Sequence, residues 1–293
     1  MTAQFSGVMP ALITPFRDGK VDETAFAALV ERQIASGVHG LVPSGTTGES
    51  ATLSWDEQKR IIALCVEVSA GRAPVLAGTG SPDTAKTVEL TRYAKSVGAA
   101  AALAVTPYYN RPSQDGLAAH YTAIAEAVDL PLILYNVPAR TGVDLLPETV
   151  AKLACHPNIV GIKDASNRLD RATRQRALCG ENFALLSGED GTAVGFNAMG
   201  GQGCISVTAN VAPELCARLQ ECCRAGDYGS AHDIDLRLSA LHRALFMEPS
   251  PAPAKYALSR LGLCREEARL PHVPVSAATR EAVDAAMGRA GLL

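Results

Sequence analysis

The sequence predicts an α/β protein, a (β/α)8 TIM barrel followed by a C-terminal helical appendage. Three observations predict it: eight short apolar runs recur along the chain, each is followed by a turn and an amphipathic segment, and only helical patterns follow the eighth run. Nearly continuous apolar strands that alternate with helices are typical of a parallel sheet covered by helices. Eight such units favour closure into a barrel over an open sheet.

The predicted strands are the apolar runs themselves. They lie at residues 7–14, 40–43, 74–77, 100–105, 131–135, 159–163, 183–187 and 203–207. After the last of them the strand pattern stops. We therefore place the barrel at residues 1–225 and the helical appendage at residues 226–293.

Helices are predicted from apolar residues that recur on one face. In segment 22–36, Phe26, Leu29 and Ile34 share such a face, and the segment that starts at Ser54 has the capping-box pattern, with Glu57 three residues later. Further helical patterns follow the last strand, at residues 213–225, 228–246, 252–261 and 277–289.

Composition excludes several classes of partner. Of the 293 residues, 47% are hydrophobic and 19% charged, and the formal net charge is −3. The hydrophobic share is enough for a large core, and the charge gives no basic surface for nucleic acid or acidic lipid. Apolar stretches end well before bilayer length, so no membrane span is predicted.

The eight cysteines are scattered, and none forms a C-x-x-C pair with nearby histidines. The chain also opens without the basic segment and apolar run of a signal peptide. These features predict a reduced, cytoplasmic protein without structural zinc. The adjacent Cys222 and Cys223 leave a redox role open, although packing on a helix face is the more common role for such residues.

Lys163 is the candidate nucleophile, because it is the only one of seven lysines to end an apolar run. Barrel enzymes place their chemistry at the carboxyl ends of the strands. Burial there favours the neutral amine, which is the form that attacks a carbonyl carbon. For a lone lysine, pairing with Asp164 or another acid is the alternative, so the neighbouring residues decide between the two.

Hydroxyl side chains end three other runs. Tyr135 ends the fifth, and Thr46 and Thr47 end the second. Tyr108 and Tyr109 follow the fourth. Because a hydroxyl both donates and accepts a proton, a chain of them can relay protons at a carbinolamine. Each alone is weak evidence, since a tyrosine at a strand end is usually half-buried packing or part of an interface.

Two loops are candidates for binding carboxylates. Segment 45–50 (GTTGES) looks like a phosphate loop but lacks the Gly-x-x-x-x-Gly-Lys spacing, so nucleotide binding is not predicted. Its N–H groups can still bind a small carboxylate, although a plain glycine-rich turn explains the segment equally well. Arg140 follows the run that ends at Tyr135, and its guanidinium suits bidentate recognition of a carboxylate. The alternative role of Arg140 is that of a loop arginine that contacts only solvent.

Five motifs together resemble one family. They are Gly45-Thr-Thr-Gly-Glu49, Thr106-Pro-Tyr-Tyr-Asn110, Tyr135-Asn-Val-Pro-Ala-Arg-Thr-Gly142, Gly161-Ile-Lys-Asp164 and Gly203-Cys-Ile-Ser-Val207. On these motifs the sequence resembles, almost from end to end, the 4-hydroxy-tetrahydrodipicolinate synthase family, also called the dihydrodipicolinate synthases. Single motifs are shared with N-acetylneuraminate lyase and related pyruvate aldolases, but Arg140 and segment 109–112 point to the synthases.

The resemblance implies condensation of pyruvate with L-aspartate 4-semialdehyde, the first committed step toward diaminopimelate and lysine, with no metal or organic cofactor. Lys163 would form an imine, a Schiff base, with pyruvate. The catalytic residues carried over by the resemblance are Lys163, Tyr135, Thr46 and Tyr109. The substrate-binding residues carried over are Thr47, Arg140, Ile205 and Gly188.

The resemblance also implies a homotetramer of two tight dimers, in which Tyr109 enters the site of the neighbouring subunit. Many family members bind L-lysine across that dimer interface as a feedback inhibitor. In this sequence Pro82 replaces an asparagine, Lys86 replaces a glutamate that would pair with the inhibitor's ammonium, and Gln58 stands where a histidine is common. We therefore expect weak or absent inhibition by lysine. Ser50, Ala51 and Tyr108 fit the family pattern at this site and Trp55 is an aromatic residue that some members carry, whereas Gln58, Pro82 and Lys86 depart from it.

Two other functions stay open on the sequence. The nearest is a different pyruvate aldolase, acting on a sugar-derived or hydroxy-acid aldehyde, and Arg140 argues against it. The other is a barrel without catalytic activity that binds a keto acid as a sensor or scaffold. An intact Lys163 surrounded by hydroxyl groups argues against that function.

Overall fold

The computed structural model describes residues 5–293. The start of the predicted barrel, residues 1–4, therefore lies outside the described residues. Within residues 5–293, no helix combines the length and the apolar character that crossing a membrane requires.

The core of the fold is a curled parallel sheet. Across residues 5–293 its seven strands have the order β1-β9-β8-β7-β6-β5-β4. Every neighbouring pair is parallel. The predicted α/β barrel is thereby confirmed. The sheet strands are β1 (Gly7–Pro10), β4 (Leu76–Gly78), β5 (Ala101–Val105), β6 (Leu132–Asn136), β7 (Ile159–Asp164), β8 (Ala184–Ser187) and β9 (Gly203–Ser206).

Segment 40–43 closes the barrel, but the prediction of a strand there is wrong. It forms isolated bridges, Leu41 with Val75 and Val42 with Ala11. The Leu41 N–H donates to the Pro74 carbonyl at 2.9 Å, and the Val42 N–H donates to the Pro10 carbonyl at 3.0 Å. The segment therefore joins β1 to β4 with too few paired residues for a strand.

The first strand is also shorter than predicted: β1 ends at Pro10, and beyond it Ala11 keeps only a single bridge, to Val42. The Ile13 N–H then donates to the side chain of Asn210 at 3.1 Å, and the Thr14 hydroxyl donates to the Gly48 carbonyl at 2.7 Å. Side-chain partners thus replace the sheet partners at this end of the run.

The helices agree closely with the periodic segments. In α2 the capping box is present: the Ser54 hydroxyl accepts from the Glu57 N–H at 3.2 Å, and the Glu57 carboxylate accepts from the Ser54 N–H at 2.8 Å. The helices are α1 (Glu23–Ala35), α2 (Trp55–Ser69), α3 (Thr84–Ser96), α4 (Gln114–Ala127), α5 (Pro138–Thr141), α6 (Pro147–Ala154), α7 (Asp170–Cys179), α8 (Ala193–Ala198), α9 (Pro213–Arg224), α10 (Tyr228–Ala244), α11 (Ala252–Arg260) and α12 (Ala277–Ala290).

A small hairpin that the sequence analysis missed follows β1. Its strands are β2 (Phe16–Arg17) and β3 (Lys20–Val21), which pair antiparallel. Asp18 and Gly19 connect them, both with positive φ, at 54° and 78°. An Asp-Gly pair is a common hairpin turn, so this signal was present in the sequence.

The C-terminal helices pack on the barrel. Leu238 of α10, Leu258 of α11 and Val283 of α12 share one apolar cluster with Val8 of the barrel. A separate cluster fills the barrel interior, as expected for this fold. It includes Met9, Leu76, Leu103, Ile133, Tyr135, Leu186 and Ile205. A division of the chain at residue 225 stays a prediction.

Candidate active site

Lys163 lies on β7, one residue before its end, and only 6% of it is exposed. In the sheet register it stands beside Tyr135 of β6. Its Nζ atom lies 4.2 Å from the centroid of the Tyr135 ring. Two of the residues singled out from the sequence are therefore direct neighbours.

Asp164 is not the partner of Lys163. Its Oδ2 atom accepts a hydrogen bond from Nε of Arg171 at 2.9 Å, and its Oδ1 atom accepts from the Ser166 N–H at 2.9 Å. Arg171 also binds both carboxylate oxygens of Asp144, at 2.9 and 3.0 Å. The acid next to Lys163 is thus occupied, which leaves the amine without that ion pair.

The Arg171 network holds the strand ends that carry the candidate site. Arg171 is buried on α7 and 2% exposed. The Asn136 amide, next to Tyr135 in the chain, donates to Asp144 at 2.7 Å. Because Arg171 binds both Asp144 and Asp164, it connects the ends of β6 and β7.

Gly188 leaves space beside the lysine. A Cβ atom at this position would lie 3.1 Å from Cε of Lys163 and 2.6 Å from Cβ of Ala165. A side chain here would press on both residues, so glycine at this position keeps the surroundings of the lysine uncrowded. Ile205 of β9 is fully buried in the interior cluster that includes Tyr135.

Thr46 and Thr47 lie in a tight turn after segment 40–43. The Thr46 carbonyl accepts from the Glu49 N–H at 3.1 Å, and the Gly45 carbonyl accepts from the Gly48 N–H at 3.1 Å. Thr47 is buried and Thr46 is half-buried. The turn thus presents Thr46 to open space and holds Thr47 inside.

A cavity of about 230 Å³ opens at the carboxyl ends of β4, β5 and β6. Lys163 and Tyr135 lie at the ends of their strands and are not part of its lining. The tail contributes two lining residues that the sequence analysis missed, Ser250 and His272. The residues that line it are Thr46, Glu49, Ser50, Ala51, Thr52, Gly80, Val105, Tyr108, Val137, Arg140, Thr141, Ser250 and His272.

Arg140 lines this cavity from the short helix α5. Near it lies Glu189, which the sequence analysis also missed. Burial raises the pKa of the Glu189 carboxyl, and Asp190 adds to that shift, whereas the charges of Lys163 and Arg140 oppose it. Glu189 follows Gly188 directly in the chain, and that position was the only signal in the sequence.

Tyr109 is not brought to the other candidate catalytic residues within this chain. Its side chain is 93% exposed, and its backbone has a φ of 69°. The loop that carries it is held on both sides: the Asn110 amide donates to the Pro82 carbonyl at 3.1 Å, and Nε of Arg111 donates to the Gly142 carbonyl at 2.8 Å. The tyrosine is therefore held outward on an anchored loop.

Of the seven positions matched to the lysine-binding site, three line the cavity and four do not. Ser50, Ala51 and Tyr108 line the cavity together with Arg140. Burial raises the pKa of the Tyr108 phenol. Lys86 is exposed on α3.

Two of the remaining positions make contacts within the chain. The Gln58 amide donates to the Ser50 carbonyl at 2.9 Å, and the Trp55 indole donates to Glu89 at 3.1 Å. The ammonium of Lys59 lies 5.2 Å from the Trp55 ring centroid. Both side chains therefore have partners within the chain.

Lys255 is the second buried lysine, and the sequence analysis did not single it out. It lies on α11, is 0% exposed, and forms an ion pair with Glu49. Its only sequence context is the Pro-rich break before α11, which gives no sign of burial. Among residues 5–293, no group of three or more His, Cys, Asp or Glu side chains is arranged to hold a metal ion.

Comparison with known proteins gives consistent matches over the whole chain. Residues 4–290 match the model of the "Dihydrodipicolinate synthetase family". A 4-hydroxy-tetrahydrodipicolinate synthase of Phenylobacterium zucineum is 60% identical over 99% of this chain and 98% of its own length. The synthase of Hyphomonas neptunium is 61% identical, over 98% of this chain and 99% of its own length.

Solved structures of dihydrodipicolinate synthases also match the chain over nearly its whole length. A chloride-inhibited dihydrodipicolinate synthase of Acinetobacter baumannii in complex with pyruvate is 44% identical, with a TM-score of 0.96. The alignment covers 98% of this chain and 99% of that one. The enzyme of Cyanidioschyzon merolae with lysine bound is 38% identical, with a TM-score of 0.97 and full coverage of both chains.

Proposed function

The chain belongs to the dihydrodipicolinate synthetase family, and from that premise we propose that it condenses pyruvate with L-aspartate 4-semialdehyde to 4-hydroxy-tetrahydrodipicolinate through an imine on Lys163. The setting of Lys163 carries the proposal. Lys163 is buried at a strand end, its neighbouring acid is bound to Arg171, and Gly188 leaves space beside it. A lysine in this setting suits covalent capture of a small ketone.

The proposed reaction starts with attack of the Lys163 amine on the ketone carbon of pyruvate. The carbinolamine then loses water to give the protonated imine, which withdraws electrons, so a methyl proton can leave and an enamine forms. The enamine carbon bonds to the aldehyde carbon of the semialdehyde; the aldehyde oxygen takes up a proton to become a hydroxyl, and the imine on Lys163 forms again. The amine of the new chain then displaces Lys163 by transimination, which closes the ring and frees the lysine.

Each side chain has a proposed part in these steps. Tyr135, Thr46 and Tyr109 relay the protons that carbinolamine formation and dehydration move. Thr47 and the backbone around Ile205 hold the pyruvate carboxylate. Arg140 is proposed to bind the carboxylate of the semialdehyde, which its place in the cavity wall supports.

Borohydride reduction in the presence of pyruvate tests the proposal. A reduced pyruvyl adduct on the peptide that contains Lys163, found by mass analysis, is the expected result. Turnover with aspartate semialdehyde and none with N-acetylmannosamine would then separate the synthase from the related aldolases. Absence of any adduct would overturn both enzyme functions and favour a barrel that only binds a keto acid.

We further propose that the protein is a homotetramer built from two tight dimers, with Tyr109 completing the site of the neighbouring subunit. The exposure of Tyr109 on an anchored loop supports this arrangement. Replacing Tyr109 by phenylalanine is therefore expected to lower kcat by about 100-fold, since the relay loses one hydroxyl.

Co-expression of two variants, one strongly impaired and one inactive, tests where Tyr109 acts. A mixed dimer of Tyr109→Phe and Lys163→Met subunits contains one site that has both intact residues, but only if the tyrosine crosses the interface. We expect the mixture to regain activity that neither variant has alone. If the mixture stays as inactive as its components, the tyrosine does not act across the interface.

Lysine is expected to inhibit this enzyme weakly or not at all. A cation at Lys86 repels the ammonium of the ligand where an acid would attract it, and loss of one charge-assisted hydrogen bond costs about 1.5–3 kcal/mol. Inhibition curves of the wild type and of Lys86→Glu check this, with the variant expected to be the more sensitive. Strong inhibition of the wild type at low lysine concentration would contradict the prediction.

A further inference from the structure

Lys255 is buried as completely as any residue in the described chain, yet it does not face the cavity. Its ammonium pairs with the carboxylate of Glu49, donates to the Glu267 carbonyl at 2.8 Å, and lies 4.0 Å from the centroid of the Phe16 ring. Burial lowers the pKa of the Lys255 amine, and the charge of Glu49 opposes that shift. With its amine held by these partners, Lys255 is not a second nucleophile.

Glu49 connects this lysine to the turn that carries the two threonines. Its backbone is left-handed, with a φ of 56°, and its N–H donates to the Thr46 carbonyl at 3.1 Å. Its carboxylate also accepts from the Arg269 N–H at 3.0 Å. Glu49 is therefore fixed by its backbone on one side and by its carboxylate on the other.

The same contacts place the tail at the cavity. The Arg269 guanidinium binds both oxygens of Glu57 on α2, at 2.6 and 2.7 Å. The His272 N–H donates to the Arg269 carbonyl at 3.0 Å, and His272 lines the cavity together with Thr46. Two walls of the cavity, from distant parts of the chain, thus meet at Glu49.

We propose that Lys255 is a positioning residue for the reaction: through its ion pair with Glu49 it fixes the Thr46–Thr47 turn and the tail wall at His272 in one geometry. The inference rests on the proposed function, because it assigns the turn to pyruvate binding and proton relay. A contact that served stability alone would not need to bridge these two cavity walls. Replacing Lys255 is therefore expected to lower kcat/KM for pyruvate.

Three variants test the proposal: Lys255→Met, Glu49→Gln, and the two combined. In both single variants we expect borohydride still to trap pyruvate on Lys163 at saturating pyruvate. We expect kcat/KM for pyruvate to fall on the order of 100-fold, since a displacement of about 1 Å in a reacting group has that effect. Arg260→Met is the matched control, because Arg260 also lies on α11 and forms an ion pair, with Asp284 of α12, but this pair is partly exposed and neither residue lines the cavity.

The double variant separates positioning from stability. It leaves no unpaired buried charge, so its melting temperature is expected to return toward that of the wild type, whereas kcat/KM stays low. Should kcat/KM return with the melting temperature, or should the folded single variants keep full kcat/KM, the proposal is overturned. If Lys255→Met does not fold, the nearly isosteric Glu49→Gln decides by the same criterion. Wild-type protein that forms no adduct would overturn the proposed function itself.

Discussion

Replacing Lys163 by methionine is expected to abolish turnover, with a loss of about 10⁴-fold or more, because the reaction then lacks its covalent partner. Methionine has a similar length and keeps the packing against Tyr135. Since Asp164 pairs with Arg171 and not with Lys163, the substitution leaves no carboxylate without its partner. The melting temperature is therefore expected to change little. Turnover, adduct formation and thermal melting are the measurements.

The second buried lysine supplies the control for this experiment. Lys255→Met also removes a buried amine, yet it should leave the pyruvyl adduct intact, because Lys255 is held by Glu49 and the Glu267 carbonyl. An adduct that disappears in the Lys255 variant and persists in the Lys163 variant would reverse the assignment.

Replacing Arg171 by methionine is expected to lower the free energy of unfolding by about 3–5 kcal/mol, because a buried ion pair that loses one partner leaves the other charge uncompensated. Arg171 is 2% exposed, and it serves Asp164, Asp144 and the Leu145 carbonyl together. Denaturant unfolding of the two proteins measures the difference. Activity should fall as well, since both strand ends at the candidate site lose their connection.

Arg174→Met is the matched control on the same helix. Arg174 pairs with Glu148, but both side chains are largely exposed. Exposed pairs contribute about 1 kcal/mol or less, so this variant should unfold almost like the wild type. Equal losses in the two variants would mean that burial of the Arg171 network has no special weight.

The barrel was predictable because its strands are short apolar runs and its helices have regular faces. Segment 131–135 became β6, and Ser54 with Glu57 formed the capping box. Segment 40–43 has the same apolar character, but whether a run pairs over one residue or several depends on its neighbours. The sequence pattern contains no information on that point.

The residues of the candidate site likewise fall into those that the sequence could predict and those that it could not. Lys163, Thr46 and Arg140 were found because chemistry in a barrel gathers at the strand ends. Lys255 was missed because its ion-pair partner, Glu49, lies far away in the sequence, and His272 was missed because only the fold brings it to the same cavity as Thr46 and Arg140. Glu49 was visible in a motif, but its burial against a lysine of the tail was not.

The contact between Glu49 and the tail also fixes when the site can be completed. During synthesis, Thr46, Arg140 and Lys163 leave the ribosome long before Lys255 and Arg269 do. Until then the carboxylate of Glu49 has neither its cation nor its N–H donor, and the cavity lacks the wall that holds His272. A nascent chain can therefore contain every proposed reactive group of its own and still be unable to present them to a substrate.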